Sequence, residues 1–297
     1  MSNISETPFH SSLRDVGDSI NKFAGSELIA TGKLYASASL DDATDEDNEL
    51  LRNEYKLKTM IDTHKSLDIG TNPTRTGNMQ ISKFMGITRC RVDLRSRTYY
   101  KNIMARLSMW TKCKIFFSMI TLDSENPSIV APVADSMWVH GPIGESLEVL
   151  DTGIEQICDL FKALLCRTSM YPVLVCGSKW MREQNLLTVL VLLVLRVPVE
   201  HISADFVSCV QNLQIDPSQF KSKAEAELVR AIVETKAQWV GAIKNHLDEK
   251  YGGVDEYFTR GGVTLQEMDS FREALQAPGL KIELDVKNRH KTADDLQ

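Results

Sequence analysis

The sequence predicts an α/β fold, a small central sheet flanked by helices with a helical C-terminal part, and three observations carry that expectation. Short apolar runs of strand length recur through the first two thirds of the chain, as in "KTMIDTH", "ITRCRVDL" and "PVLVC". Stretches with helical spacing separate them. Beyond Val197 the pattern is helical only. Strands alternating with helices imply one sheet with helices packed on it. Of the 297 residues, 43% are hydrophobic and 25% charged, which is ordinary globular composition with enough length for a core.

The elements follow in order. Residues 1–12 are polar and read as a tail, ahead of one domain over 13–276. Residues 34–39 read as a short strand. Residues 41–47 are an acidic helix start, with carboxylates where the helix dipole favours them. Leu50, Leu51, Tyr55 and Leu57 supply that helix's apolar side. "KTMIDTH" is the second strand, residues 65–82 read as a linker by composition, and "ITRCRVDL" is the third strand. Residues 95–120 form a basic, aromatic, helical stretch: Arg95, Arg97, Lys101, Arg106, Lys112 and Lys114 with no acid among them. Residues 121–142 are loop-like. "GESLEVLDTGIEQICDLFKALLCR" has one helical face, made by Ile154, Ile157, Cys158, Phe161, Leu164 and Leu165. "PVLVC" is a strand, a loop spans 177–183, and an apolar helix starts at Asn185. Three further helices follow, one stopped by Gly252 and Gly253. Residues 277–297 read as a charged tail.

Several function classes are excluded. The net charge of −6 gives no global attraction to nucleic acid, so any anion site must be local. Six Cys occur without a CxxC pair, and no Cys/His cluster has zinc-ligand spacing; neither a metal nor a cofactor is expected. His64, His140 and His201 have no partner at ligand spacing. The longest apolar run, residues 186–195, is about half of the ~20 residues a bilayer span needs. The N-terminus lacks the pattern of a secretory signal. Reduced thiols in the cytoplasm, or the nucleus, are the expectation.

The strand "PVLVC" feeding a loop and then an apolar helix is a natural anion cradle. Loop amides converge there, and the helix N-terminus adds about half a positive charge. Cys176 and Arg182 stand in a C-x5-R spacing. A thiolate at such a loop can attack phosphorus while the guanidinium grips two phosphate oxygens. Gly177, Ser178, Lys179, Trp180 and Met181 would then supply the amides of the cradle. A buried, inert Cys at a strand end is the bland reading of the same residue.

"LRDVG", "GKLYASASLDDATDEDNELLRNEYKLKTMIDTH", "YPVLVC…LLTVLVLLVLRVPVEHISADF" and "EKYGGVDEYFTRGGVTLQEMDSFREAL" occur in this order. Together they resemble the tyrosine/serine protein phosphatase family of fungi and bacteria, within the cysteine-based dual-specificity-like phosphatases. The resemblance covers about residues 13–276. It implies a protein-tyrosine-phosphatase-like fold, phosphocysteine chemistry on phosphorylated proteins or phosphoinositides, and lid-like insert helices at 95–120.

The departures from that family fall on its site. Members usually carry H-C-x-x-G-K-D-R-T-G where this chain has "CGSKWMREQN". Two registers are open. Without a gap, Gly177 falls on the catalytic Cys, Arg182 on the Asp and Glu183 on the phosphate-binding Arg. With a one-residue shift, Cys176 and Arg182 keep their roles, while Val175 replaces the His, Lys179 the Gly, Trp180 the Lys and Met181 the Asp. Neither register keeps the loop Asp, the family's proton donor; Asp62 and Asp205 are the substitutes considered. Glu183 either sets a negative charge beside the cradle or points outward to cap the helix. Ala36 and His64 stand where the family has Arg. The expectation is a phosphatase-family protein with a degraded loop, little or no turnover, and a phospho-ligand-binding, regulatory or repurposed role. The alternative is an active cysteine phosphatase; a third reading has Trp180 blocking the cradle. For residues 95–117 the favoured reading is a core-packed helix with a solvated basic edge; the other is peripheral contact with anionic lipid.

Overall fold

The computed structural model describes residues 12–38, 40, 43–63, 74–76, 79–84, 86–121, 136, 139–177, 182–211 and 223–277. Seven strands are present in it: β1 (Arg14–Asp15), β2 (Leu34–Ala36), β3 (Thr59–Asp62), β4 (Thr74–Thr76), β5 (Met79–Phe84), β6 (Ile87–Val92) and β7 (Val173–Cys176). They form one sheet in the order β1-β2-β7-β3-β6-β5-β4. The middle four, β2, β7, β3 and β6, run parallel, and both flanks are antiparallel. β7 lies between β2 and β3, with Asp62 opposite Cys176.

Strands β4 and β5 correct the linker reading at residues 74–76 and 79–82; residues 65–73, 77 and 78 lie outside the described residues. Met79–Phe84 pairs along all of β6, from Met79 opposite Val92 to Phe84 opposite Ile87. β4, at the sheet edge, pairs on one side only, and β5 mixes polar with apolar residues, so composition gives the hairpin little signal.

Helix α1 (Val16–Ala24) follows β1 directly, and Asp15 caps it by accepting from the Gly17 and Asp18 amides. Gly17 is required by close approach: a Cβ there would stand 2.7 Å from the Ala30 carbonyl oxygen. Helix α2 (Asp45–Asn53) starts in a capping box between Thr44 and Asp47. It ends before Tyr55 and Leu57, which pack against the smaller core cluster from beyond the helix.

Helices α3 (Arg97–Arg106) and α4 (Met109–Thr121) occupy the basic aromatic stretch. The core-packed reading holds for α3, whose Tyr99 and Ile103 are buried. It fails for α4, where Met109, Trp110, Phe116 and Phe117 are exposed. The reason is that apolar residues are spread round α4, so their spacing does not say which side the core lies on.

The segment 144–167, expected as one helix, breaks at Gly153 into α5 (Gly141–Thr152) and α6 (Ile154–Leu160), the latter running into a π-turn at Phe161–Leu165. A Cβ on Gly153 would collide with the Leu94 carbonyl oxygen and lie 2.6 Å from that of Val149. The glycine therefore lets the helix junction close onto the chain leaving β6.

Helix α7 (Arg182–Val194) starts three residues earlier than the apolar run suggests. Its residues from Leu186 onward are buried, as expected for a central helix that is apolar all round. It is followed in the chain by α8 (Val199–Gln211), α9 (Lys223–Tyr251), α10 (Val254–Arg260) and α11 (Leu265–Leu275). Positive φ at Gly252 and Gly253 ends α9. No helix among the described residues is long and apolar enough to cross a membrane.

Candidate functional site

The parallel strands point their carboxyl ends the same way, and β7 enters between the earlier β2 and β3. Ligands of α/β sheets bind outside carboxyl ends at such a reversal of strand order. The end of β7 and the N-terminus of α7 therefore flank the stretch that the sequence reads as an anion cradle.

Cys176 closes β7. Strand alternation divides this strand between two clusters: Val173 and Val175 join the main core with Leu186 and Leu187, while Leu174 and Cys176 join Tyr35, Leu51, Leu57, Met60 and Ile87. The Cys176 side chain is 1% exposed, and its Sγ donates to the Ile61 carbonyl oxygen at 3.6 Å. Its own carbonyl accepts from the Thr63 amide at 2.9 Å and from Thr63 Oγ1 at 3.2 Å. The backbone at Cys176 is thus still that of a paired strand.

Gly177 is the first residue beyond it. A Cβ there would run into Thr63 Oγ1 and Gln184 Oε1, so two side chains from β3's end and α7's first turn fill the space. Ser178, Lys179, Trp180 and Met181 lie outside the described residues, and so does the Trp180-blocked cradle. Arg182 opens α7 by its backbone; its side chain is likewise outside the description.

Glu183 does not point outward. It is buried and ion-paired with Arg95, which also meets Glu145 Oε1 at 3.1 Å. Tyr99 Oη donates to the same Glu145 oxygen at 3.2 Å, and the Arg95 guanidinium lies 5.6 Å from the Tyr99 ring centre. Burial alone would lower the Arg95 pKa, but Glu183 and Glu145 outweigh it, and the net shift is upward. Arg95 is therefore a permanent buried cation held between two carboxylates. Sequence reasoning named Arg95 only as part of a basic run and missed Glu145. Their partners stand 88 and 50 positions away, so no local pattern could pair them.

Asp62, one of the two acids considered, accepts from Arg89 Nη2 at 2.6 Å and Nε at 3.2 Å, and from Arg91 Nε at 3.2 Å. It stands beside Cys176 in register, on the neighbouring strand. Asp205, the other, sits on α8 and receives Arg14 Nη1 at 2.9 Å and Ser19 Oγ at 2.5 Å. Its contacts tie α8 to β1 and α1. Ala36 is buried at the end of β2, and His64 is outside the described residues. His140 is exposed and His201 half-buried. No cluster of three or more His, Cys, Asp or Glu at metal-binding distance occurs among the described residues.

A sequence model of the tyrosine phosphatase family matches residues 185–277, from the second turn of α7 through α11. The match begins after the loop and so covers the helical scaffold that carries it. No curated protein matches the chain.

Proposed function

The match over residues 185–277 supports assigning the chain to a tyrosine-phosphatase-like family, and from that premise we propose that it is a family member whose loop has lost phosphocysteine chemistry and that acts as a binding or regulatory protein. One observation carries the reading: the Cys176 sulfur lies in the smaller apolar cluster and bonds the Ile61 carbonyl. A phosphatase nucleophile needs its sulfur among the loop amides at the helix N-terminus, where a thiolate is stabilised. The gap-free register agrees with this, since it sets Gly177 at the nucleophile's place and Glu183 at that of the phosphate-binding Arg.

Charge supports the same reading. Arg95 is matched by Glu183 and Glu145, and Arg89 and Arg91 both meet Asp62. Internal carboxylates thus already engage guanidinium groups that could otherwise grip a phosphate dianion. A ligand here would be a phosphorylated protein or a phosphoinositide that meets the rim of the site, without bond cleavage.

The active-phosphatase alternative draws on the retained strand–loop–helix arrangement, with Cys176 as nucleophile, Arg182 as clamp and Asp62 or Asp205 as acid. Hydrolysis of an aryl phosphate by the purified chain and by Cys176→Ser separates the two readings. The proposed function gives background rates for both proteins. Vanadate-sensitive turnover that vanishes in Cys176→Ser would establish the alternative.

A further inference from the structure

Helix α4 carries its apolar side outward. Met109 and Trp110 are each 72% exposed, Phe116 is 63% and Phe117 65% exposed, and Cys113 is exposed between them. Spacings of one, four, seven and eight residues from Met109 put all five on one stripe. At about 100° per residue they span an arc of about 120°. Lys112 and Lys114 then fall about 40° beyond its two edges, one on each side. Both are half-buried. No Asp or Glu occurs from residue 94 to residue 121.

We infer that the outward face of α4 docks on an anionic lipid surface, its apolar stripe entering the headgroup boundary and Lys112 and Lys114 meeting lipid phosphates. An interfacial helix needs an apolar stripe bordered by cations whose stems can extend toward headgroups. The lack of any carboxylate from residue 94 to residue 121 suits a uniformly anionic surface. A lid closed on this chain's own site would have the stripe buried, whereas it faces solvent. The remaining acidic character of the molecule, net −6, orients rather than prevents the contact, since only the basic segment faces the membrane. This surface is independent of how the loop after β7 is read.

The test is co-sedimentation of the full chain with phosphatidylcholine vesicles and with vesicles containing about one third phosphatidylserine. Binding is expected to the acidic vesicles, weakened by salt, with Cys113 protected from alkylation when bound. Lys112→Glu with Lys114→Glu should lower the partition coefficient at least tenfold, as roughly fivefold is expected per basic residue near such a surface. Met109→Ala with Trp110→Ala should lower it by a similar factor while circular dichroism and the urea midpoint stay unchanged. Absence of binding to either vesicle would overturn the inference. So would equal binding to neutral vesicles, or Cys113 protection by concentration-dependent self-association without lipid.

Discussion

Replacing Arg95 with methionine removes the cation that Glu145 and Glu183 share. The Arg95–Glu145 contact is 3.1 Å, and at an effective dielectric near 20 its gross attraction is about 5 kcal/mol. Desolvation of the ions offsets much of that. Truncation is nonetheless expensive, because both carboxylates stay buried after the cation is gone; a loss of about 3–5 kcal/mol follows. Glu183→Gln keeps the shape and leaves Arg95 with Glu145, so only a charge-assisted hydrogen bond weakens, costing about 1.5–3 kcal/mol. Urea denaturation followed by tryptophan fluorescence and circular dichroism reads both values. The double variant should show non-additivity of at least about 0.5 kcal/mol, since the residues touch. A methionine variant within about 1 kcal/mol of the parent, or one more stable than Glu183→Gln, would refute the account of this cluster.

Two other outcomes follow from the same geometry. Burial raises the Asp151 pKa, but bonds from Lys250, His246 and Tyr251 outweigh it and the net shift is downward. Its stabilising share is therefore complete above the unfolded value of about 3.9 and is lost as pH falls through the lower folded value; Asp151→Asn should flatten acid unfolding below about pH 4, measured by fluorescence against pH. Gly153→Ala would drive a methyl into the Leu94 carbonyl and should lower stability by about 1–3 kcal/mol, read from the urea midpoint.

Much of the architecture is legible in the chain itself. Residues 59–62, 87–92 and 173–176 are apolar or β-branched enough to announce buried strands, and the run 186–195 announces a central helix. The hairpin strand at 79–84 is not announced, because polar and apolar residues mix in it and its place comes from backbone pairing with β4 and β6. The break at Gly153 depends on a carbonyl at Leu94, brought close only by tertiary packing. The outward face of α4 is not announced, because apolar residues recur all round that helix and nothing local says which of them turn outward.

The candidate site was less legible. C-x5-R names Cys176 correctly as the last strand residue, but the face it takes depends on strand parity, which a one-residue slip inverts. Glu183 read as a choice between cradle and cap; its burial against Arg95 is a long-range pairing with no sequence signature. The positions of Asp62 and Asp205 follow from their arginine partners, which stand 27 and 191 positions away in sequence.

Mapping iodoacetamide modification of the native chain at neutral pH, site by site by mass spectrometry, tests the central claim most directly. Burial pushes the Cys90 and Cys158 thiols up to about 12 and Cys209 up to about 11, so these should resist, while exposed Cys113 reacts readily. Cys176, 1% exposed beneath the sheet, should stay unmodified until the chain unfolds. Cys176 reacting faster than Cys113, with phosphate or vanadate protecting it, would contradict the account.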